Sequence, residues 1–227
     1  MPAAGGTFRA GDYSYRITAS ADAKEVVLAG FAGASRTDVT VFDEVRYLGF
    51  VWKVTSVGAK AFMGDAVITS VNSMVDVGFK AFAKCPGLEY VMVGEGTAIG
   101  GYAFAGCRAL NTVYGDGQFD IGESAFSGCS GLSHASIEGA RSIGEHAFYG
   151  CSLTDVDLSS AASIGYGAFT GNDLQKVAFS DGLSDVDAKA FFGYSFRDLD
   201  GGRVAVSASG LAGKAFEGSG KVLSQTS

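Results

Sequence analysis

Four stretches, AFAKC (81–85), AFAGC (103–107), AFSGC (125–129) and AFYGC (147–151), repeat one phrase at a spacing of 22 residues. The frame extends beyond the cysteines. Ala-Phe pairs begin at Ala61, Ala81, Ala103, Ala125, Ala147, Ala168, Ala190 and Ala215, so the phenylalanines step by 20, 22, 22, 22, 21, 22 and 25 residues. Ile99-Gly100, Ile121-Gly122, Ile143-Gly144 and Ile164-Gly165 precede their pairs by a constant offset, with Val57-Gly58 and Val77-Gly78 as early versions. Self-similarity at a period of 20 to 30 residues is the signature of a solenoid, in which each unit stacks on the last and a continuous core forms between neighbours. The phenylalanines, isoleucines, alanines and cysteines are expected to form ladders, each residue packing on its equivalents above and below.

Between the cysteine and the next Ile-Gly runs a second phrase, Leu-x-x-Val-x-(Val/Leu/Phe), seen at Leu88-Val91-Val93, Leu132-Ala135-Ile137, Leu153-Val156-Leu158 and Leu174-Val177-Phe179, and less closely at Leu110-Val113-Tyr114. Its last members alternate with the period of a half-buried strand and are followed by turn signals such as Gly94, Gly115 and Ser159. The expectation is one short parallel strand per coil, with Ile-Gly-x-x-Ala-Phe as a tight turn. A unit of this length has no room for a regular helix, so the return should be irregular or a single helical turn.

Composition agrees with a folded repeat. The 227 residues are 47% hydrophobic, and 34 glycines against two prolines point to a backbone that turns often. A net charge of −7 and the lack of a basic run in the sequence argue against a nucleic-acid footprint. Apolar runs such as Val26 to Ala32 fall well short of the roughly 20 residues that cross a bilayer. MPAAGGTF carries no charged region followed by an apolar stretch, so no signal peptide is read in this chain.

The phrase Leu-x-x-Val-x-Leu…Ser-Ile-Gly-x-x-Ala-Phe-x-Gly-Cys resembles the BspA-like, treponemal-type leucine-rich repeat and covers roughly residues 55 to 195. The preceding segment, with Tyr13 to Thr18, Glu25 to Phe31 and Phe50 to Gly58, is similar to the β region that often leads such arrays. The expected architecture is a leucine-rich-repeat solenoid, mainly β, with an N-terminal β cap over 1–54, about eight repeats over 55–220 and a tail over 221–227. The cysteine slot is Asp65, Asn172, Tyr194 and Ser219 in the other frames, and Gly201-Gly202 breaks the rhythm near the end. The terminal run 222–227 supplies no convincing polar cap, which suggests a piece of a longer surface protein.

Chemistry is sparse. The two histidines, His134 and His146, fall at different points of the frame and should lie on different sides of a coil, which disfavours a shared metal. A nucleophile elbow, a P-loop, a dinucleotide fingerprint and a Cys-x-x-Cys are all missing. Asp198-Leu199-Asp200-Gly201 reads as an acidic turn rather than a calcium loop, because the later oxygen ligands and closing Glu are not there. The cysteines occupy one inward slot and are read as buried free thiols, since parallel stacked side chains do not readily reach a disulfide torsion. No catalytic residue, metal or cofactor is expected.

Function then rests on the surface. Stacked strands turn their outward residues into two columns: Ser70, Tyr90, Thr112, His134, Asp155, Lys176, and Asn72, Met92, Tyr114, Ser136, Asp157, Ala178. Tyr90, Met92 and Tyr114 form an aromatic and thioether patch followed by an acidic step at Asp155 and Asp157, and Tyr and Met are enriched at interface cores. The candidate partner-binding face is Tyr90, Met92, Thr112, Tyr114, His134, Asp155, Asp157 and Lys176; ordinary ladder contacts are the bland alternative. A weaker candidate edge carries Glu123-Ser124, Glu145-His146, Tyr149 and Tyr166-Gly167. The resemblance implies a non-enzymatic module of a microbial cell-surface or secreted protein that binds a host or neighbouring-cell protein. The alternative is a structural spacer or stalk.

Overall fold

The computed structural model describes residues 4–18, 23–174, 176–179, 183–187 and 189–192. The expected frames at Tyr194 and Ala215, the acidic turn at 198–201 and the tail lie outside these residues. Three strands open the chain: β1 (Thr7–Ala10), β2 (Tyr13–Ile17) and β3 (Glu25–Phe31), paired antiparallel in that order. Then come β4 (Asp38–Val41), β5 (Glu44–Tyr47) and the long β6 (Phe50–Val57), with β5 antiparallel and β3 parallel to β6.

From β6 on, the chain winds in coils. One wall stacks, in parallel, β6, β8 (Asp76–Val77), β10 (Ala98–Ile99), β12 (Phe119–Ile121), β14 (Ala140–Ile143), β16 (Ser163–Ile164) and β18 (Asp185–Val186). A second wall, the face sheet, stacks β4, β7 (Ser70–Ser73), β9 (Tyr90–Val93), β11 (Thr112–Gly115) and β13 (His134–Ser136), and then separately β15 (Asp155–Leu158) and β17 (Lys176–Phe179). The Ala-Phe turns make the third side. Coils 1 to 7 are named by their turn phenylalanines: Phe62, Phe82, Phe104, Phe126, Phe148, Phe169 and Phe191.

The solenoid is as the repeat implies, with two differences. Each coil carries a second strand, because the Ile of Ile-Gly faces the core and its backbone pairs with the coil before; no helix occurs among the described residues. The glycine makes this approach possible. A Cβ on Gly78, Gly100, Gly122, Gly144 or Gly165 would sit 2.4 to 2.6 Å from backbone atoms of the preceding coil. Their N–H groups donate back to that coil, as Gly122 does to Ile99 O at 2.8 Å. The second difference is that a coil-like unit precedes Val57: Leu28 accepts from Gly58 N as the isoleucines do, Phe31 meets the ring of Phe62 edge-on at 4.9 Å, and β4 pairs with β7.

The phenylalanine ladder runs from Phe62 to Phe191 with ring centroids 5.0 to 5.4 Å apart and planes within 4° to 9° of parallel. Its rungs are also tied by backbone, since Phe82, Phe104, Phe126, Phe148 and Phe169 each donate N–H to the Ala carbonyl of the following coil at 2.8 Å.

In coils 2 to 6 the cysteine slot makes one recurring hydrogen bond. Each thiol donates to the Phe carbonyl of the preceding coil: Cys85 to Phe62 O and Cys107 to Phe82 O at 3.1 Å, Cys129 to Phe104 O and Cys151 to Phe126 O at 3.2 Å. Asn172 meets the same need with Nδ2 donating to Phe148 O at 2.8 Å, while its Oδ1 accepts from Leu153 N. A small donor aimed at one carbonyl explains why both residue types serve. All four cysteines are free and buried. Burial pushes the Cys129 thiol up to about 12 and raises Cys151 as well. Thiols so placed stay protonated and inert. Iodoacetamide at pH 8 should therefore leave the native chain unmodified and alkylate all four cysteines in denaturant, as read by intact mass. Because unfolded thiols ionise near pH ~8.5 and Cys129 and Cys151 do so higher in the fold, the contribution of these two to stability is full below that pH and is lost as pH climbs toward 12.

The face sheet breaks between β13 and β15, where the corner before the strand shortens. Two residues lie between Cys85 and Leu88, between Cys107 and Leu110 and between Cys129 and Leu132, but one lies between Cys151 and Leu153 and one between Asn172 and Leu174. Strands with like corners stay paired, and the seam lies between the two kinds.

Candidate interaction face

The inward residues of the face sheet are Val39, Val71, Val91 and Val113, in register and fully buried, with the smaller Ala135 half-buried in β13. Their neighbours therefore point outward. Ser70, Tyr90, Thr112 and His134 stand in one register column and Asn72, Met92, Tyr114 and Ser136 in the next. Tyr90, Met92 and Thr112 are half-buried, whereas Tyr114 is 41% exposed and His134 is exposed. The aromatic and thioether patch is thus contiguous on three hydrogen-bonded strands.

Asp155 and Asp157 are exposed on β15, beyond the seam, and pair in register with Lys176 and Ala178 of β17. They do not continue the ladder of Tyr90 and Thr112. Both carboxylates are engaged locally: Asp155 accepts from Thr154 Oγ1 at 3.1 Å and Asp157 from Ser159 N at 2.9 Å. At the other end the columns gain Asp38 and Thr40, in register with Ser70 and Asn72. Sequence reasoning assigned these to the cap, although Val39-Thr40-Val41 carries the same alternation as the later strands. The free edge of β4 is covered by Tyr13, whose phenol oxygen accepts from Thr40 N at 3.2 Å.

The turn edge is better furnished than its sequence suggested. His146 meets Tyr149 and Tyr166 edge-on, each at 5.5 Å, and Glu145 lies 3.4 Å from its Nδ1. His134 is on the face sheet, so the histidines are on separate sides. In coils 2 and 3 Phe79 meets Tyr102 at 5.9 Å, the Lys80 ammonium lies 4.9 and 5.1 Å from those rings, and Tyr102 donates to Glu123 at 2.8 Å.

Here, in coils 1 to 6, the backbone turns left-handed twice per coil. The residue before the cysteine slot is Gly64, Gly106, Gly128, Gly150 or Gly171, with Lys84 (φ 61°) as the exception. The residue before Ala-Phe is glycine only at Gly167; elsewhere it is Lys60, Lys80, Tyr102, Ser124, His146 or Lys189, with φ between 53° and 59°. A side chain in that conformation costs about 1 kcal/mol or more.

Among the described residues no group of three or more His, Cys, Asp or Glu is placed to hold a metal. A cleft of about 460 Å³ is lined in part by Arg9, Asp12, Ser35 and Arg36, and within it Arg36 pairs with Asp12. No helix among the described residues is long and apolar enough to cross a membrane.

The fold is shared with solved bacterial proteins. A leucine-rich cell surface protein of Faecalibacterium prausnitzii A2-165 aligns over 84% of this chain and 47% of its own, at 20% identity and a TM-score of 0.54. The T. pallidum leucine-rich repeat protein aligns over 83% of this chain and 89% of its own, at 20% identity and a TM-score of 0.56. The chain thus spans about half the length of the Faecalibacterium protein. No curated protein sequence matches it. The family description "BspA type Leucine rich repeat region" matches residues 44–138 and 97–221 in six copies. With the repeat phrase, the stacked coils and this match in agreement, the chain belongs to the BspA-type leucine-rich repeat family.

Proposed function

We propose that this chain is a non-enzymatic interaction module of a microbial cell-surface or secreted protein, and that it binds a protein partner of a host or neighbouring cell through the face sheet. The observation that carries the reading is the contiguous outward patch of Tyr90, Met92 and Tyr114 on adjacent paired strands, with Asn72, Ser70 and Thr112 around it. Rings and a thioether held on a rigid sheet lose little conformational freedom on docking. Tyrosines are also frequent anchors of a binding hot spot. The cell-surface description of the Faecalibacterium protein supports the localisation. In the same reading residues 1–54 cap the array and 55–220 carry the repeats; the buried rings of Phe8 on β1 and Trp52 on β6, 5.5 Å apart, support a cap.

The test is a binding screen against immobilised extracellular-matrix and microbial surface proteins. Saturable binding is expected, with a loss of about tenfold or more in Tyr90→Ala/Met92→Ala/Tyr114→Ala at unchanged melting temperature. Binding that survives the triple variant moves the site elsewhere. No binding to any surface favours the spacer reading.

A further inference from the structure

A second surface is marked by three lysines, of which Lys60 and Lys80 share their left-handed φ with Tyr102, Ser124, His146 and Lys189 of later coils, whereas Lys84 departs from the rest. Lys60, Lys80 and Lys84 all have left-handed φ on the turn edge of coils 1 and 2, although this chain places glycine at the equivalent position of Lys84 in five other coils. Acidic residues outnumber Lys and Arg 24 to 17 in the sequence, so a local group of cations does not follow from composition. None of the three is in an ion pair among the described residues. Beside them Met63 and Phe79 are 47% and 46% exposed. The Lys80 ammonium lies over the rings of Phe79 and Tyr102, 4.9 and 5.1 Å from their centroids.

We propose that the turn edge of coils 1 and 2 docks an acidic protein segment, whose carboxylates meet Lys60, Lys80 and Lys84 and whose apolar side chain covers Phe79 and Met63. The sign of the charge selects the partner, because an acidic segment is repelled by the net negative charge of the molecule and attracted by this edge. The apolar centre selects a polypeptide. Two exposed side chains fringed by cations fit one inserted side chain, as in an anchor with a polar rim, better than the extended flat contact of a bilayer or the uniform charge of a sulfated glycan. This edge lies on a different side of the coil from the face sheet, so the inference stands independently of the function proposed for that sheet.

The experiment uses the full chain and a fluorescein-labelled peptide of glutamates flanking one central phenylalanine, with an all-glutamate peptide, heparin and phosphatidylserine-containing vesicles as further probes. The phenylalanine peptide should bind with an anisotropy signal that weakens as salt rises. Binding should be about tenfold weaker in Lys60→Gln/Lys80→Gln/Lys84→Gln and in Lys60→Gly/Lys80→Gly/Lys84→Gly, and unchanged in the face-sheet triple variant. The glycine variant removes the side chains where the backbone already favours glycine, so its melting temperature should not fall. Equal binding by parent and both lysine variants overturns the proposal, as does failure of the parent to bind the peptide. Tight binding of heparin or vesicles in preference to the peptide overturns the choice of a protein segment.

Discussion

Phe126→Ala should lower unfolding stability by about 4 kcal/mol, among the largest losses expected from a single truncation. The ring is fully buried and lies 5.2 Å from both Phe104 and Phe148, nearly parallel to each. Its removal opens a cavity that neither neighbour can fill, because each is held in its own rung by the hydrogen bond from its N–H to the next coil. In a linear array each unit is stabilised mainly by its neighbours, so a defect in coil 4 weakens the coupling of the two halves. A urea titration should show a lower midpoint together with a broadened or two-step transition. Phe126→Leu should lose about 1.5 kcal/mol and keep a single transition. A loss below about 1 kcal/mol for the alanine variant would mean that the ring is not part of the column.

Gly144→Ala tests the opposite side of the coil and should cost about 3 kcal/mol, at the upper end of overpacking. The added Cβ would lie 2.6 Å from Glu123 N and Gly122 C, both backbone atoms that cannot swing aside. The useful control is Gly150→Ala. Gly150 has φ of 66° and nothing within 4 Å of its would-be Cβ, so its penalty of about 1 to 2 kcal/mol comes from conformation alone. If the two variants melt alike, close approach between coils is not what the Ile-Gly phrase provides.

These effects show which parts of the molecule were legible in the sequence. Anything that repeats with the coil was visible: the phenylalanine column, the cysteine slot, the inward Val71, Val91 and Val113, and the outward pair of columns from Ser70 to His134. The strand at Ile-Gly was not, because two residues show no alternation and a glycine reads as a turn; its role appears only when the neighbouring backbone is in place. Asp38 and Thr40 were missed for a related reason, since the coil they close lacks the Ala-Phe phrase and keeps only Leu28 and Phe31 of the pattern. The separation of Asp155 and Asp157 from the tyrosine patch follows from one residue missing after Cys151, visible as a 21-residue step but mute about which wall it would disturb. The basic edge was invisible because Lys60, Lys80 and Lys84 are spread over 25 positions in sequence and adjacent only once the coils are stacked.

That missing residue has a broader consequence. The phenylalanine spacing across coils 4, 5 and 6 stays at 5.2 and 5.4 Å while the face sheet divides beside it. The corner between the cysteine slot and the leucine therefore acts as a slip joint: length changes made there reshape the outer wall and leave the interior stacking untouched. Such an architecture separates changes in the outer wall from changes in the core that sets its stability. Single-residue insertions and deletions at these corners become a way of retiling the face sheet, and the same corners are where a designer should graft new loops.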